Sequence, residues 1–265
     1  MQEQYKRFLR QILFSPFGIE GQKKLSESSA AVIGVGGLGS WTAEFLVRMG
    51  IGRIRLCDDD RVEVCNLHRQ ALYNEKDAGQ LKAAVAEKKL RDINSQCVIE
   101  ALPVRIDHKT IYHAAADVDI ILDGTDNFAT RFLINDFAVK HSMPWVFAGV
   151  LGSEGQVMCI IPGKTACLRC VIGDPRKCCE EQKTLGQTSV MGAIVPFISS
   201  LQSMEAIKIL SGYSQRGESK IRRYDLWQGC SQVLDVSQNR QDNNCRCCVQ
   251  KKYEYLEPGD LCYED

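Results

Sequence analysis

Ser28-Ser29-Ala30-Ala31-Val32-Ile33-Gly34-Val35-Gly36-Gly37-Leu38-Gly39 is the stretch on which the fold turns. Residues 28–35 are short, apolar and stopped by glycine, which marks a buried strand. Residues 38–50, LGSWTAEFLVRMG, carry apolar side chains at helical spacing and stop at Gly50. Gly34, Gly36, Gly37 and Gly39 therefore lie in a strand-to-helix turn. Glycines there permit a tight bend and let phosphate oxygens approach backbone N–H groups at the positive end of a helix. The next predicted strand, RIRLCD (53–58), ends on Asp58, about 20 residues on, where a carboxylate can hydrogen-bond ribose hydroxyls. Taken alone, these features describe a nucleotide-binding α/β domain, and an NAD-dependent enzyme would share them.

The pattern repeats along the chain. After a first amphipathic helix in MQEQYKRFLRQILF and a short glycine-containing connection, strands at 28–35, 53–58, 97–106, 117–125 and 144–150 alternate with helices at 38–50, 77–94, 108–116 and 127–141. Such alternation predicts a Rossmann-like, mostly parallel sheet with helices on both faces. From about 153 the pattern changes to an antiparallel extension. It comprises a strand in GQVMCIIPG, a cysteine-rich polar stretch (164–189), a long buried helix (190–211) kinked by Pro196, and strands at 219–226 and 230–236. This divides the chain into an N-terminal helical arm (1–27), a nucleotide-binding domain (28–152) and a C-terminal extension (153–265), forming one continuous unit.

Lys+Arg and Asp+Glu are equal at 33 each, so charge gives no reason to expect nucleic acid or an anionic membrane as partner. No run reaches the roughly 18–20 apolar residues of a membrane span, and the N-terminus lacks the unbroken apolar core of a secretion signal. Thirteen cysteines, an odd number with several inside apolar runs, argue for reduced thiols and a cytosolic setting rather than a disulfide framework.

Cations gather in sequence beyond the glycine turn. Arg69 and Gln70 lie in Asn66-Leu67-His68-Arg69-Gln70, just past Asp58-Asp59-Asp60; Lys82 opens a helix, and Arg10 sits in the N-terminal arm. Together they suit a triphosphate and its departing pyrophosphate better than a dinucleotide. Asp123-Gly124-Thr125-Asp126-Asn127 stands at the C-terminal end of a predicted strand. Asp126 there is placed either to hold the Mg²⁺ that accompanies ATP or to cap the following helix.

Cys167-Leu168-Arg169-Cys170 and Cys245-Arg246-Cys247-Cys248 supply two C-x-x-C pairs, the spacing of a closed, structural zinc site built from Cys167, Cys170, Cys245 and Cys248. A redox pair and an iron–sulfur cluster are the alternatives, and spacing alone leaves open which of Cys245, Cys247 and Cys248 is spare. Cys178 and Cys179, next to Arg176 and Lys177, are candidate reactive thiols.

RFLRQI, GVGGLGS, NLHRQ, GQLK (79–82), DGTDN, the paired C-x-x-C motifs and SLQSMEAIK (200–208) occur in order over residues 5–248. In this the chain resembles the ThiF/MoeB/HesA family, which is related to ubiquitin-activating enzymes. The resemblance implies a homodimer that uses ATP and Mg²⁺ to adenylylate the C-terminal glycine of a ubiquitin-like sulfur carrier of the ThiS or MoaD type. It implies that Gly37 faces the phosphates, that Asp58 holds the ribose, and that Asn66, Arg69 and Lys82 contact the nucleotide. Asp126, with Asn127 beside it, would be the Mg²⁺-linked aspartate, and Arg10 would reach the ATP of the other subunit. The four cysteines above would be the zinc ligands.

One position departs from the family. Many members carry a cysteine near where this chain has Leu185, and Cys178 and Cys179 are displaced from it, so adenylylation is the expected step, and whether Cys178 or Cys179 forms a covalent intermediate is left open. The chain ends soon after the second cysteine pair, leaving no room for a fused rhodanese domain, so a separate sulfur donor is expected. The rival readings are an enzyme adenylylating a peptide in a modified-peptide pathway, an NAD-dependent oxidoreductase, and an inactive scaffold for a ubiquitin-like partner.

Overall fold

The computed structural model describes residues 3–172, 189–213, 218–242 and 244–257. Its centre is one eight-stranded sheet in the order β3-β2-β1-β4-β5-β6-β7-β8. β1 (Ser29–Ile33), β2 (Arg53–Cys57), β3 (Val98–Leu102), β4 (Ile120–Asp123) and β5 (Trp145–Leu151) pair in parallel. β6 (Glu154–Ile160), β7 (Lys220–Asp225) and β8 (Cys230–Asp235) then add antiparallel, so the sheet runs unbroken through the change in pattern near 153.

Every residue of β1 is buried, as expected of a central parallel strand covered on both faces. Because side chains alternate across a strand, Ala30 and Val32 enter one core, while Ala31 and Ile33 enter the other. The first core packs under α3 (Gly37–Met49), α4 (Lys82–Ile93) and a long helix at Ile194–Leu210. The second lies under α5 (Ile111–Ala115), α6 (Phe128–Lys140) and α7 (Leu168–Ile172). Among the described residues, no helix is long and apolar enough to cross a membrane.

Several expectations are corrected. The N-terminal helix is a 3-10 turn (Glu3–Phe8) followed by one short α1 (Leu9–Ile12), and the presumed connection holds α2 (Gly18–Glu27). Gly21 reads as a loop residue, yet it is small because the Phe17 ring lies where its side chain would be. The helix expected over 77–94 starts only at Lys82, since Gly79 takes a positive φ of 82° that breaks it. The long helix, α8, begins at Ile194 rather than 190. Pro196 therefore falls in its first turn, where its missing N–H has no partner to lose and no kink is required.

Candidate functional site

β1, β2 and β4 end level with one another: Ile33 is in register with both Cys57 and Asp123. The chain passes from β1 toward β2 on one side of the sheet, whereas β4 lies on the other. The crevice above β1 and β4 is thus a topological switch point, where open parallel sheets bind ligands. The glycine turn, Asp58 and DGTDN all sit on this edge.

Three glycines there are packed backbone to backbone. A Cβ on Gly39 would lie 1.8 Å from the Gly34 carbonyl oxygen, and one on Gly124 would lie 2.1 Å from the same atom. Gly34 itself has a φ of 82°, in the left-handed region. Gly36 and Gly37 differ: a Cβ on either would meet nothing nearer than 3.5 Å. Packing therefore does not demand glycine at these two positions, and their bare backbone suits the close approach of a ligand's phosphates.

Asp58 secures this turn. Its Oδ2 accepts from the Val35 N–H at 2.7 Å and its Oδ1 from the Asp60 N–H at 2.9 Å. Burial raises its carboxyl above the ordinary range, opposed by the nearby Lys82 ammonium. Residues 79–82 fold back along this loop, with the Lys82 N–H donating to the Asp60 carbonyl at 2.9 Å. The Lys82 side chain is only 6 % exposed and its Nζ reaches Asp60 Oδ2 at 2.7 Å, while Asp60 is 69 % exposed. A buried cation is thereby pointed at the open side of the turn.

Arg69 lies beside the turn, its Cδ 3.9 Å from the position of a Cβ on Gly37, and its Nη2 donates to Asn66 Oδ1 at 2.8 Å. Gln70 is buried, and its Oε1 has no hydrogen-bond partner among the described residues. A buried acceptor left unmatched costs about 1–3 kcal/mol, which a ligand donor would recover. An open cleft of about 380 Å³ adjoins these residues, lined by Trp41, Glu44, His68, Arg69 and Gln70 among others.

In DGTDN the two aspartates divide the work. Asp123 is fully buried: its Oδ1 accepts from the Thr125 N–H and hydroxyl, and its Oδ2 from Arg131 Nε at 3.1 Å. Burial pushes its carboxyl up against the pull of Arg131. Asp126 is exposed on the same edge. The helix cap is Asn127, whose Oδ1 accepts from the Thr130 N–H at 2.9 Å, rather than Asp126.

Arg10 is not brought to this site within one chain. Its neighbours Phe8 and Gln11 pack on Gly50 and the Met49 carbonyl, at the far end of α3 from the turn. A helix of 13 residues separates the two ends by about 20 Å.

Two supporting residues have no assigned role in the sequence reading. Gln202, in SLQSMEAIK, is fully buried; its Nε2 donates to the Asp123 and Val146 carbonyls at 2.8 and 2.9 Å, and its Oε1 accepts from Thr42. It ties α8 to the strand ends beneath the site. Arg131 holds Asp123 and donates to the Thr125 carbonyl at 2.7 Å. A polar side chain on the apolar face of a predicted helix was the available signal for both.

The cysteine pairs do converge. Sγ–Sγ distances are 3.7 Å for Cys167–Cys170, 3.7 Å for Cys167–Cys245 and 3.4 Å for Cys170–Cys248, and all four sulfurs lie within 4.8 Å of one another. A tetrahedral site with Zn–S bonds of about 2.3 Å has edges of about 3.8 Å, so the cluster is compatible with zinc. Cys247 is outside that set and fully buried. The described cysteines form no disulfide. Cys178, Cys179 and Leu185 lie outside the described residues.

A comparison with known families matches residues 8–247 to the ThiF family. The chain is 36% identical to the sulfur carrier protein ThiS adenylyltransferase of Bacillus subtilis (strain 168), over 94% of this chain and 73% of that protein. It is 34% identical to the protein of that description in Escherichia coli (strain K12), over 92% of this chain and 95% of that one. Among solved structures, E. coli MccB with ATP superposes with a TM-score of 0.80 at 24% identity, covering 94% of this chain and 76% of that one, a likeness of fold alone. With the match spanning nearly its whole length, the chain belongs to the ThiF family.

Proposed function

We propose that this protein adenylylates the C-terminal glycine carboxylate of a ubiquitin-like sulfur carrier ending in Gly-Gly, of the ThiS or MoaD kind, at the expense of ATP. The observation that carries the reading is the contrast within the turn. Gly34, Gly39 and Gly124 are glycine because backbone fills their space, while a Cβ on Gly36 or Gly37 would meet only side chains at ordinary contact distance, beside a buried cation and an unmatched amide. Relatives at 34–36% identity bear names that describe this activity.

A carboxylate oxygen of the carrier attacks the α-phosphorus of ATP, a new O–P bond forms, and the bond to the β-phosphate bridging oxygen breaks to release pyrophosphate. No general base is required, because the carboxylate is already ionised at neutral pH. Gly36 and Gly37 would admit the phosphates and Asp58 would hold the ribose. Lys82 and Arg69 would meet the charge that builds on the departing pyrophosphate, with Asn66 and Gln70 orienting the nucleotide. Asp126, next to Asn127, is the carboxylate on this edge that would hold Mg²⁺, which neutralises phosphate oxygens when bound.

Arg10 would act on the second subunit of a homodimer. In support, Leu13 and Phe14 next to it are 68 % and 63 % exposed, an apolar surface for a second copy to cover. Zinc held by Cys167, Cys170, Cys245 and Cys248 would be structural, since four protein ligands close the site. The odd cysteine count, with several thiols buried in apolar surroundings, supports a cytosolic setting for the reaction.

ATP–pyrophosphate exchange tests the reading. Exchange that depends on a Gly-Gly carrier and is lost in Asp126→Ala is the expected outcome. Exchange driven by a short peptide and by no carrier would instead move the substrate to the peptide class.

A further inference from the structure

The second cysteine loop offers three thiols in four residues, Cys245, Cys247 and Cys248, for two places in a metal site. Slippage between neighbours is the hazard of such a sequence, because Cys247 and Cys248 are adjacent on one turn. Yet the sulfurs that converge are those of Cys245 and Cys248, with Cys247 left out.

The reason lies on α6. Asn135 is fully buried there, and its Oδ1 accepts from the Leu168 N–H at 2.9 Å. A backbone N–H can only donate, so this contact fixes which end of the amide is oxygen. The NH₂ end then faces the second loop, and Nδ2 donates to Cys247 Sγ at 3.3 Å. One amide thus touches both half-sites: the first between Cys167 and Cys170, the second at the spare thiol. It thereby fixes the position of the Cys247 sulfur, outside the set of four that converge.

We propose that Asn135 is a positioning residue that selects the metal ligands, clamping the two cysteine loops in register and holding Cys247 away as a non-ligand. The inference rests on the zinc reading above. It adds that ligand choice is made by the protein before the metal arrives. Groups behind metal ligands typically contribute 10–100-fold to affinity, so Asn135→Ala lowers zinc affinity by about that factor.

Cobalt(II) bound to the purified full chain gives a direct count of ligands, because thiolate-to-cobalt charge-transfer absorption scales with the number of bound sulfurs. The native chain and Cys247→Ser both give the four-thiolate spectrum. Cys248→Ser gives a three-thiolate spectrum, because Asn135 keeps Cys247 from taking the vacant place. The double variant Cys248→Ser/Asn135→Ala regains the fourth thiolate as Cys247 swings in. A four-thiolate spectrum for Cys248→Ser alone, or a lost thiolate in Cys247→Ser, overturns the selection. If the double variant does not fold, the two single cysteine variants still decide. Absence of any thiolate absorption in the native chain would remove the metal site itself, a failure distinct from the first.

Discussion

The nucleotide edge and the cysteine cluster are both built from residues far apart in sequence, but they are held by different means. At the nucleotide edge, backbone packing and buried side-chain hydrogen bonds to backbone do the fixing: Gly34 against Gly39 and Gly124, the Val35 N–H on Asp58, and Gln202 on the Asp123 carbonyl. Its cations are already paired, Lys82 with Asp60 and Arg69 with Asn66. The turn and strand ends of such a site are held in place before a ligand arrives, which limits reorganisation on binding. At the cysteine cluster, four sulfurs converge from two loops 78 positions apart in the Cys167–Cys245 and Cys170–Cys248 pairs, with Asn135 spanning both. Sulfurs this close repel when ionised, so a bound cation would add to what holds this region shut.

The largest expected effect probes the backbone packing. Gly39→Ala places a methyl group 1.8 Å from the Gly34 oxygen, which no rotamer relieves. The variant is expected to lose roughly 4 kcal/mol or more and to accumulate as insoluble protein. Gly37→Ala would make only ordinary contact with the Val195 and Arg69 side chains, so its stability stays within about 1 kcal/mol of the parent, while nucleotide binding falls. Measuring solubility, urea midpoint and ATP affinity for the pair breaks the comparison if both variants behave alike.

Metal removal is next. Chelation is expected to lower the melting temperature by roughly 10 °C, a few kcal/mol at about 2–4 °C per kcal/mol for a chain of this size. ATP affinity measured below that temperature should change little, since none of the contacts that hold the nucleotide edge passes through a cysteine. A parallel loss of ATP affinity would show that the two regions are coupled, α6 being the element that joins Asn127 to Asn135.

The smallest effect lies outside both regions and serves as a baseline. Arg55 and Arg53 hold the Asp117 carboxyl well below the usual carboxylate range, through contacts of 2.6 and 2.8 Å on an open surface. A depressed folded value means that the contribution is fully present above the ordinary Asp value of about 3.9 and fades as pH falls below it. Asp117→Asn therefore lowers stability by under about 1 kcal/mol at pH 7, given solvent screening, and the difference from the parent disappears in strong acid. A difference that does not shrink at all between pH 5 and pH 2 would mean that the asparagine perturbs packing, not charge.

The order of strands and helices in the first 150 residues was readable because apolar runs bounded by glycine and caps are local signals. The breaks that were misread depend on neighbours: α2 was hidden by Gly18 and Gly21, and α4 was drawn too long across Gly79. Pro196 was read as a kink because its position relative to the helix start is set by where α8 meets β5 and β6.

The same division governs the site. Sequence by itself placed Gly34–Gly39, Asp58 and DGTDN on one sheet edge, because strand alternation dictates that parallel strands end together. It placed four thiols in metal-binding spacing, because C-x-x-C is a local geometry. Only the tertiary structure decided that Asp123 is buried scaffold while Asp126 faces outward, that Gly39 is packed against backbone while Gly36 and Gly37 are not, and that the Cys247 sulfur lies outside the four that converge. Each of these depends on what the rest of the chain brings within a few ångströms, and chain order does not encode that distance.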